Sequence, residues 1–213
     1  MTNQAAFRIR NFRAGDEAAA NYVCLKTGDH GRDGESFYRE DPDALGRIYV
    51  EPYLRFEPNL ALILEDQEGV CGYALGAQDT AGFYQRYDCE FRSDLVGRFP
   101  CPQGNPSQWS RTEQVYHLYH HPDYHIPEPR NQYPSHLHID LLERAQGQGQ
   151  GRIMMETLLD KLRSTQSTGV HLGMNADNDR AYTFYRKLGF QELERVGEGF
   201  DACIYMGLVF QPL

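Results

Sequence analysis

The clearest periodicity lies in the last third of the chain. Leu137 to Leu142 reads as a strand, and Ile153, Met154, Met155, Leu158, Leu159 and Leu162 then share one face of a helix over 151–164. A second strand, Val170 to Met174, is followed by Ala181, Phe184, Tyr185 and Leu188 on one face of a helix over 179–188. Asn178 stands where a helix is capped and Gly189 where it stops. Two closing strands, Gly189 to Arg195 and Ala202 to Phe210, are expected to meet through a Gly-containing turn. Strands alternating with helices predict a mixed α/β (α+β) architecture.

Upstream, Phe7 to Arg10 alternates as a short strand and Gly15 to Leu25 suits a helix. Leu60 to Leu64 and Val70 to Leu75 are apolar runs flanking a turn. Their apolar residues are consecutive, so both faces should be covered and the hairpin should lie inside a sheet. Residues 26–43, rich in Gly, Asp and Arg without apolar period, read as a surface loop or irregular helix. The segment of about 82–134 is aromatic and irregular, which suits an insertion over a cleft or a satellite core packing a long connection.

With 213 residues, 40% of them hydrophobic, the chain is expected to form one domain over 1–213. No run approaches the roughly 20 apolar residues of a membrane span, and Met1 to Arg13 lacks a signal-peptide core, so a cytoplasmic protein without a membrane partner is expected. Five scattered cysteines, none at C-x-x-C spacing, read as free thiols. A net charge of -9 argues against nucleic acid as a partner and suits a cationic one. His120, His121 and His125 are interrupted by Pro122 and fit no metal-ligand spacing, so no metal is expected.

Chemistry concentrates at Gln146-Gly147-Gln148-Gly149-Gln150-Gly151, between a strand and a helix. Glycines at a helix start admit a ligand to the backbone, and unpaired N–H groups with the helix dipole favour an anion such as pyrophosphate. The spacing is neither the dinucleotide fingerprint nor a P-loop. Just upstream, His136, His138 and Asp140 alternate with Leu137, Ile139 and Leu141. A polar face on a central strand is expected to border a solvated cleft.

Gln146, Gly149 and Gly151 form Q-x-x-G-x-G, which resembles the coenzyme A signature of the GNAT acetyltransferase superfamily. Asn178-x-x-Ala181-x-x-x-Tyr185-x-x-x-Gly189-Phe190 resembles that family's second motif, about 30 residues on. The resemblance implies a GNAT fold, with helices on both faces of a mixed central sheet that is splayed at the strand before the glycine loop. It further implies acetyl-coenzyme A in the splay, the pyrophosphate cradled by Gln146 to Gly151 with Arg152, and the pantetheine arm bonded by the main chain of Leu141 and Leu142. Asn178 would contact the cofactor and Tyr185 would protonate the leaving thiolate. The acceptor would be an amine on a small molecule or peptide. Its base would be Asp140, with His138 or a water, or else Asp177. Glu143 stands where the family often has proline.

Leu62 to Gly76, the Ile139-Asp140 strand and Phe184 to Gly189 also resemble the C-terminal acetyltransferase-like domain of animal O-GlcNAcase, over about two-thirds of the chain from Tyr49. This chain reads as a free-standing bacterial-type relative; that domain is regarded as a pseudo-acetyltransferase without the glycine loop, whereas this sequence has the loop, so cofactor binding is expected. A catalytically weak or inactive acyl-coenzyme A sensor is the alternative reading.

Overall fold

The computed structural model describes residues 7–198 and 202–211. Among the described residues seven strands form one sheet: β1 (Arg8–Asn11), β2 (Ala61–Asp66), β3 (Gly69–Ala77), β4 (Ser135–Leu141), β5 (Gly169–Asn175), β6 (Gln191–Val196) and β7 (Cys203–Val209). Their order is β1-β2-β3-β4-β5-β7-β6. The apolar hairpin β2–β3 thus lies inside the sheet, as its two-sided hydrophobicity predicts. Gly69, at φ +111°, supplies the left-handed residue that its tight turn requires. Part of the turn expected between β6 and β7 lies outside the described residues.

Helices cover both faces. On one, α7 (Gln150–Ser164) buries Met154, Met155, Leu158, Leu159 and Leu162. It lies so close that a Cβ on Gly76 of β3 would stand 3.1 Å from Leu158. On the other face lie α1 (Glu17–Thr27), α2 (Gly46–Tyr49) and α3 (Glu51–Phe56), whose Tyr49 and Tyr53 rings meet His138 edge-on. The remaining helix of the motif half, α8 (Asp179–Lys187), follows β5.

The aromatic insertion is helical: α4 (Thr80–Glu90), α5 (Arg92–Arg98) and α6 (Arg111–His120). A capping box starts α6, in which the Ser110 hydroxyl accepts from the Glu113 N–H and the Glu113 carboxylate accepts from the Ser110 N–H. Its tyrosines turn inward. Tyr119 donates to the Ala44 carbonyl at 2.7 Å and Tyr116 to the Asp41 carboxylate at 2.8 Å. Of the two roles open to this segment, it fills the satellite core.

The sheet is mixed and splayed. β4 pairs antiparallel with β3 from His136 to Leu141, but its parallel pairing with β5 covers only Ser135↔Val170 and His136↔His171. From Leu137 onward β4 leaves β5, and the main-chain groups on that edge open into a gap.

Candidate functional site

The gap forms a cleft of about 820 Å3. Its floor is Ile139, Asp140 and Leu141 of β4, and one wall is the glycine loop with the start of α7. The other wall is Asn175, Asp177 and the first turns of α8. Volumes of roughly 300–1,000 Å3 are typical of sites for small molecules and cofactors.

The Leu142 N–H donates to the Cys71 carbonyl at 2.8 Å. Antiparallel pairs alternate, so the main-chain groups of Asp140 and His138 also turn to β3, while those of Leu141 and Ile139 turn to the gap. This corrects the expectation for Leu142. Its N–H is spent on β3 and its carbonyl accepts from Ala145 at 2.9 Å, which leaves Leu141 and Ile139 to offer an edge to a ligand.

Gly147 (φ +74°) and Gly149 (φ +78°) both hold left-handed backbone, the cost of which glycine avoids, and Gly149 is the N-cap of α7. Gly151 sits against β4, where a Cβ would stand 3.1 Å from Leu141. Arg152 and Ile153 return their N–H groups to the Gly149 carbonyl, and the N–H groups before them have no turn behind them to bond. Gln148 instead donates its side chain to the Arg144 carbonyl at 2.8 Å, and neither it nor the Gln150 side chain reaches the cleft lining. Arg152 lines the cleft and is paired with Glu156.

Gln146 is a clamp. Its Nε2 donates to the Leu141 carbonyl at 2.7 Å, and its Oε1 accepts from Arg180 Nη1 of α8 at 2.6 Å, which ties the two walls together. Asn178 is likewise committed: its Oδ1 accepts from the Ala181 N–H at 3.0 Å and its Nδ2 donates to the His30 carbonyl at 3.3 Å. Asn178 thus caps α8 and holds the loop after α1 while also lining the cleft. That loop brings Thr27, His30, Gly31 and Arg32 to the rim. No described residue of 82–134 lines the cleft, so the rim comes from residues 27–32 and not from the aromatic insertion.

Tyr185 lines the cleft at 8% exposure, its ring between Phe184 and Phe190. Burial, with the nearby Asp140 carboxylate second, holds its phenol well above its ordinary pKa, so it stays a neutral donor. Burial pushes the Asp140 carboxyl up to about 6, against the Tyr73 hydroxyl that donates to it at 2.6 Å and holds it down. Asp177 is on the exposed rim, its N–H donating to Asn175 Oδ1 at 2.9 Å.

The polar face of β4 is not all cleft, which corrects the second expectation. His136 is sealed at 4% exposure, its Nδ1 2.9 Å from the Thr80 hydroxyl and its Nε2 2.7 Å from the Tyr53 hydroxyl. Burial lowers both imidazoles, His138 to about 4, so neither carries charge near neutrality. Only Asp140 of the three lines the cleft.

Comparison with known proteins places this geometry. The chain is 28% identical to mouse O-GlcNAcase over 196 residues, 91% of its own length but 21% of that protein, and rat O-GlcNAcase matches equally. The crystal structure of SsHAT superposes with a TM-score of 0.86 at 36% identity, covering 96% of this chain and 98% of that one. A putative acetyltransferase of Salmonella typhimurium, solved with its cofactor acetyl-coenzyme A, shares the fold at TM-score 0.56 and 16% identity, covering 96% and 94% of the two chains. The acetyltransferase (GNAT) family model matches residues 30–190, and with its splayed sheet and glycine-capped helix the chain belongs to the GNAT family of acetyltransferases.

Proposed function

We propose that this chain binds acetyl-coenzyme A between β4 and β5 and transfers the acetyl group to an amine on a small molecule or peptide. One observation carries the reading: β4–β5 pairing ends at His136, so the free edge of Ile139 and Leu141, the glycine-loop amides and Tyr185 surround a single cleft. The residues fit the cofactor. A strand-like edge suits a pantetheine arm, and open N–H groups at the start of α7 suit a pyrophosphate. The acetyl-coenzyme A held by the Salmonella relative of the same fold supports this.

When bound, the cofactor supplies an acetyl group activated as a thioester. The Leu141 N–H faces the gap, positioned to donate to negative charge developing on the acyl oxygen. Tyr185 keeps its proton at neutral pH and holds it for the departing sulfur. Asp140, raised to about 6, is ionised at neutral pH yet more basic than an ordinary carboxylate, and it takes the proton of the incoming ammonium group. Asp177 shares the cleft from its exposed rim and is the rival for that step.

Titration calorimetry with acetyl-coenzyme A, coupled to thiol release over a panel of amines and basic peptides, tests the reading. Binding with amine-dependent release is expected. Absence of binding heat overturns it, and binding without release for any acceptor assigns a sensor or scaffold instead.

A further inference from the structure

The fold assembles a second chemical group far from the glycine loop in sequence. Cys101, His117 and His121 each offer one ligand atom, and these atoms all lie within 4.8 Å of one another. His117 and His121 are one turn apart at the C-terminal end of α6, and Cys101 comes from the segment between α5 and α6. Cys101 Sγ stands 3.7 Å from His121 Nε2. Tetrahedral zinc, with Zn–S of about 2.3 Å and Zn–N of about 2.0 Å, holds such a pair roughly 3.5 Å apart.

Three further observations mark the group as built. His117 Nδ1 is buried and makes no hydrogen bond among the described residues, whereas buried ring nitrogens are ordinarily paired. The Cys101 segment is tied to the residue before the α6 cap by internal bonds: Gln103 Nε2 donates to the Cys101 carbonyl at 3.1 Å, and Trp109 Nε1 donates to the Gln103 carbonyl at 3.0 Å. The Trp109 ring then lies 5.0 Å from the His117 ring. Finally, a cation here stands at the negative end of the α6 dipole.

The geometry points to a zinc-binding site formed by Cys101, His117 and His121, which fastens the segment between α5 and α6 onto the end of α6. One sulfur and two imidazoles are a donor set that zinc favours over magnesium or calcium. On binding, the Cys101 thiol gives its proton to solvent and ligates as thiolate. His121 is exposed, so solvent reaches the fourth tetrahedral position. The neighbouring His120 takes no part, because its Nε2 lies 2.8 Å from the Phe99 carbonyl. The spacing of His120, His121 and His125 conceals this site, since two of its three ligands lie outside that set.

The test uses the full chain, purified without a histidine tag, stripped with a chelator and titrated with Co2+. One cobalt per chain is expected, with a sulfur-to-cobalt charge-transfer band in the near ultraviolet and the visible bands of tetrahedral cobalt. One equivalent of Zn2+ should bleach both and raise the melting temperature. Cys101→Ser should lose the charge-transfer band, and His121→Ala, an exposed position that leaves the fold intact by circular dichroism, should lose stoichiometric binding. Cys89→Ser and His120→Ala should retain both. A charge-transfer band that survives Cys101→Ser, or stripped wild type that takes up neither cobalt nor zinc stoichiometrically, overturns the assignment.

Discussion

The two ends of β4 carry one repeating pattern, a polar residue between apolar ones, and are put to opposite uses. At the start, His136 is paired with β5 through His171 and enclosed by hydroxyls and aromatic rings. At the far end, Asp140 sits where β5 has already diverged, and the same side-chain direction leads into the cleft. Polarity on a strand therefore lies either in an enclosed network or along a cleft, and the neighbouring strand decides which.

Four measurements sharpen or break this contrast. Tyr185→Phe removes the proton held at the open end and should lower turnover by about 10²–10⁴-fold, the usual range for a general acid, with acetyl-coenzyme A affinity unchanged by calorimetry. Unaltered thiol release would take Tyr185 out of the chemistry.

At the closed end, His136→Leu strands the Tyr53 hydroxyl, while Thr80 keeps its bond to the Pro134 carbonyl, and should cost about 3 kcal/mol in urea unfolding. A cost below about 1 kcal/mol would mean that the network is not what holds this end together.

The third compares the ends by pH. Asp140 is raised in the fold, so its ionisation opposes folding, and Asp140→Asn should gain up to about 3 kcal/mol above pH 6, at about 1.4 kcal/mol per pKa unit, and lose that gain near pH 4. With Asp140 as the base, wild-type turnover should fall as pH drops through about 6, and the variant should lose that fall. The histidines have the other sign. His138 titrates near 4 in the fold, so the unfolded chain takes up protons first and the His138 contribution is lost between about pH 6.5 and 4. His136 and His171 are lowered too, so wild-type stability should fall over that window despite Asp140. A rise would reverse the assignment of the closed end.

The smallest effect belongs to the loop. Nothing lies within 4 Å of a Cβ on Gly149, so Gly149→Ala carries only the left-handed backbone cost of about 1–2 kcal/mol and should weaken acetyl-coenzyme A by about tenfold. Unchanged affinity would detach the loop from binding.

Much of the motif half was legible because its signals are local. Apolar spacing placed α7 and α8, and the glycines and Asn178 marked their starts. The position of Ile139 was not legible, because side-chain alternation gives no sign of which main-chain edge faces which neighbour, and the pairing of Leu142 with Cys71 decides that. Nor could the sequence place Thr27 to Arg32 on the rim, more than a hundred residues before the loop they oppose. In the insertion a signal existed, since Ser110-x-x-Glu113 is a capping box that announces α6, but the surrounding aromatics hide its period.

Gln146 answers Arg180 with a neutral amide rather than a carboxylate, so the bond fixes the guanidinium without cancelling its charge. Among the described residues no acidic group stands within ion-pairing distance of it. A chain of net charge -9 therefore keeps one guanidinium without an acidic partner on a wall of the cleft that Asp140 and Asp177 also line. For the polyanionic cofactor proposed above, that guanidinium adds an attraction that salt screens, so the encounter rate should slow as the screening length falls below about 10 Å.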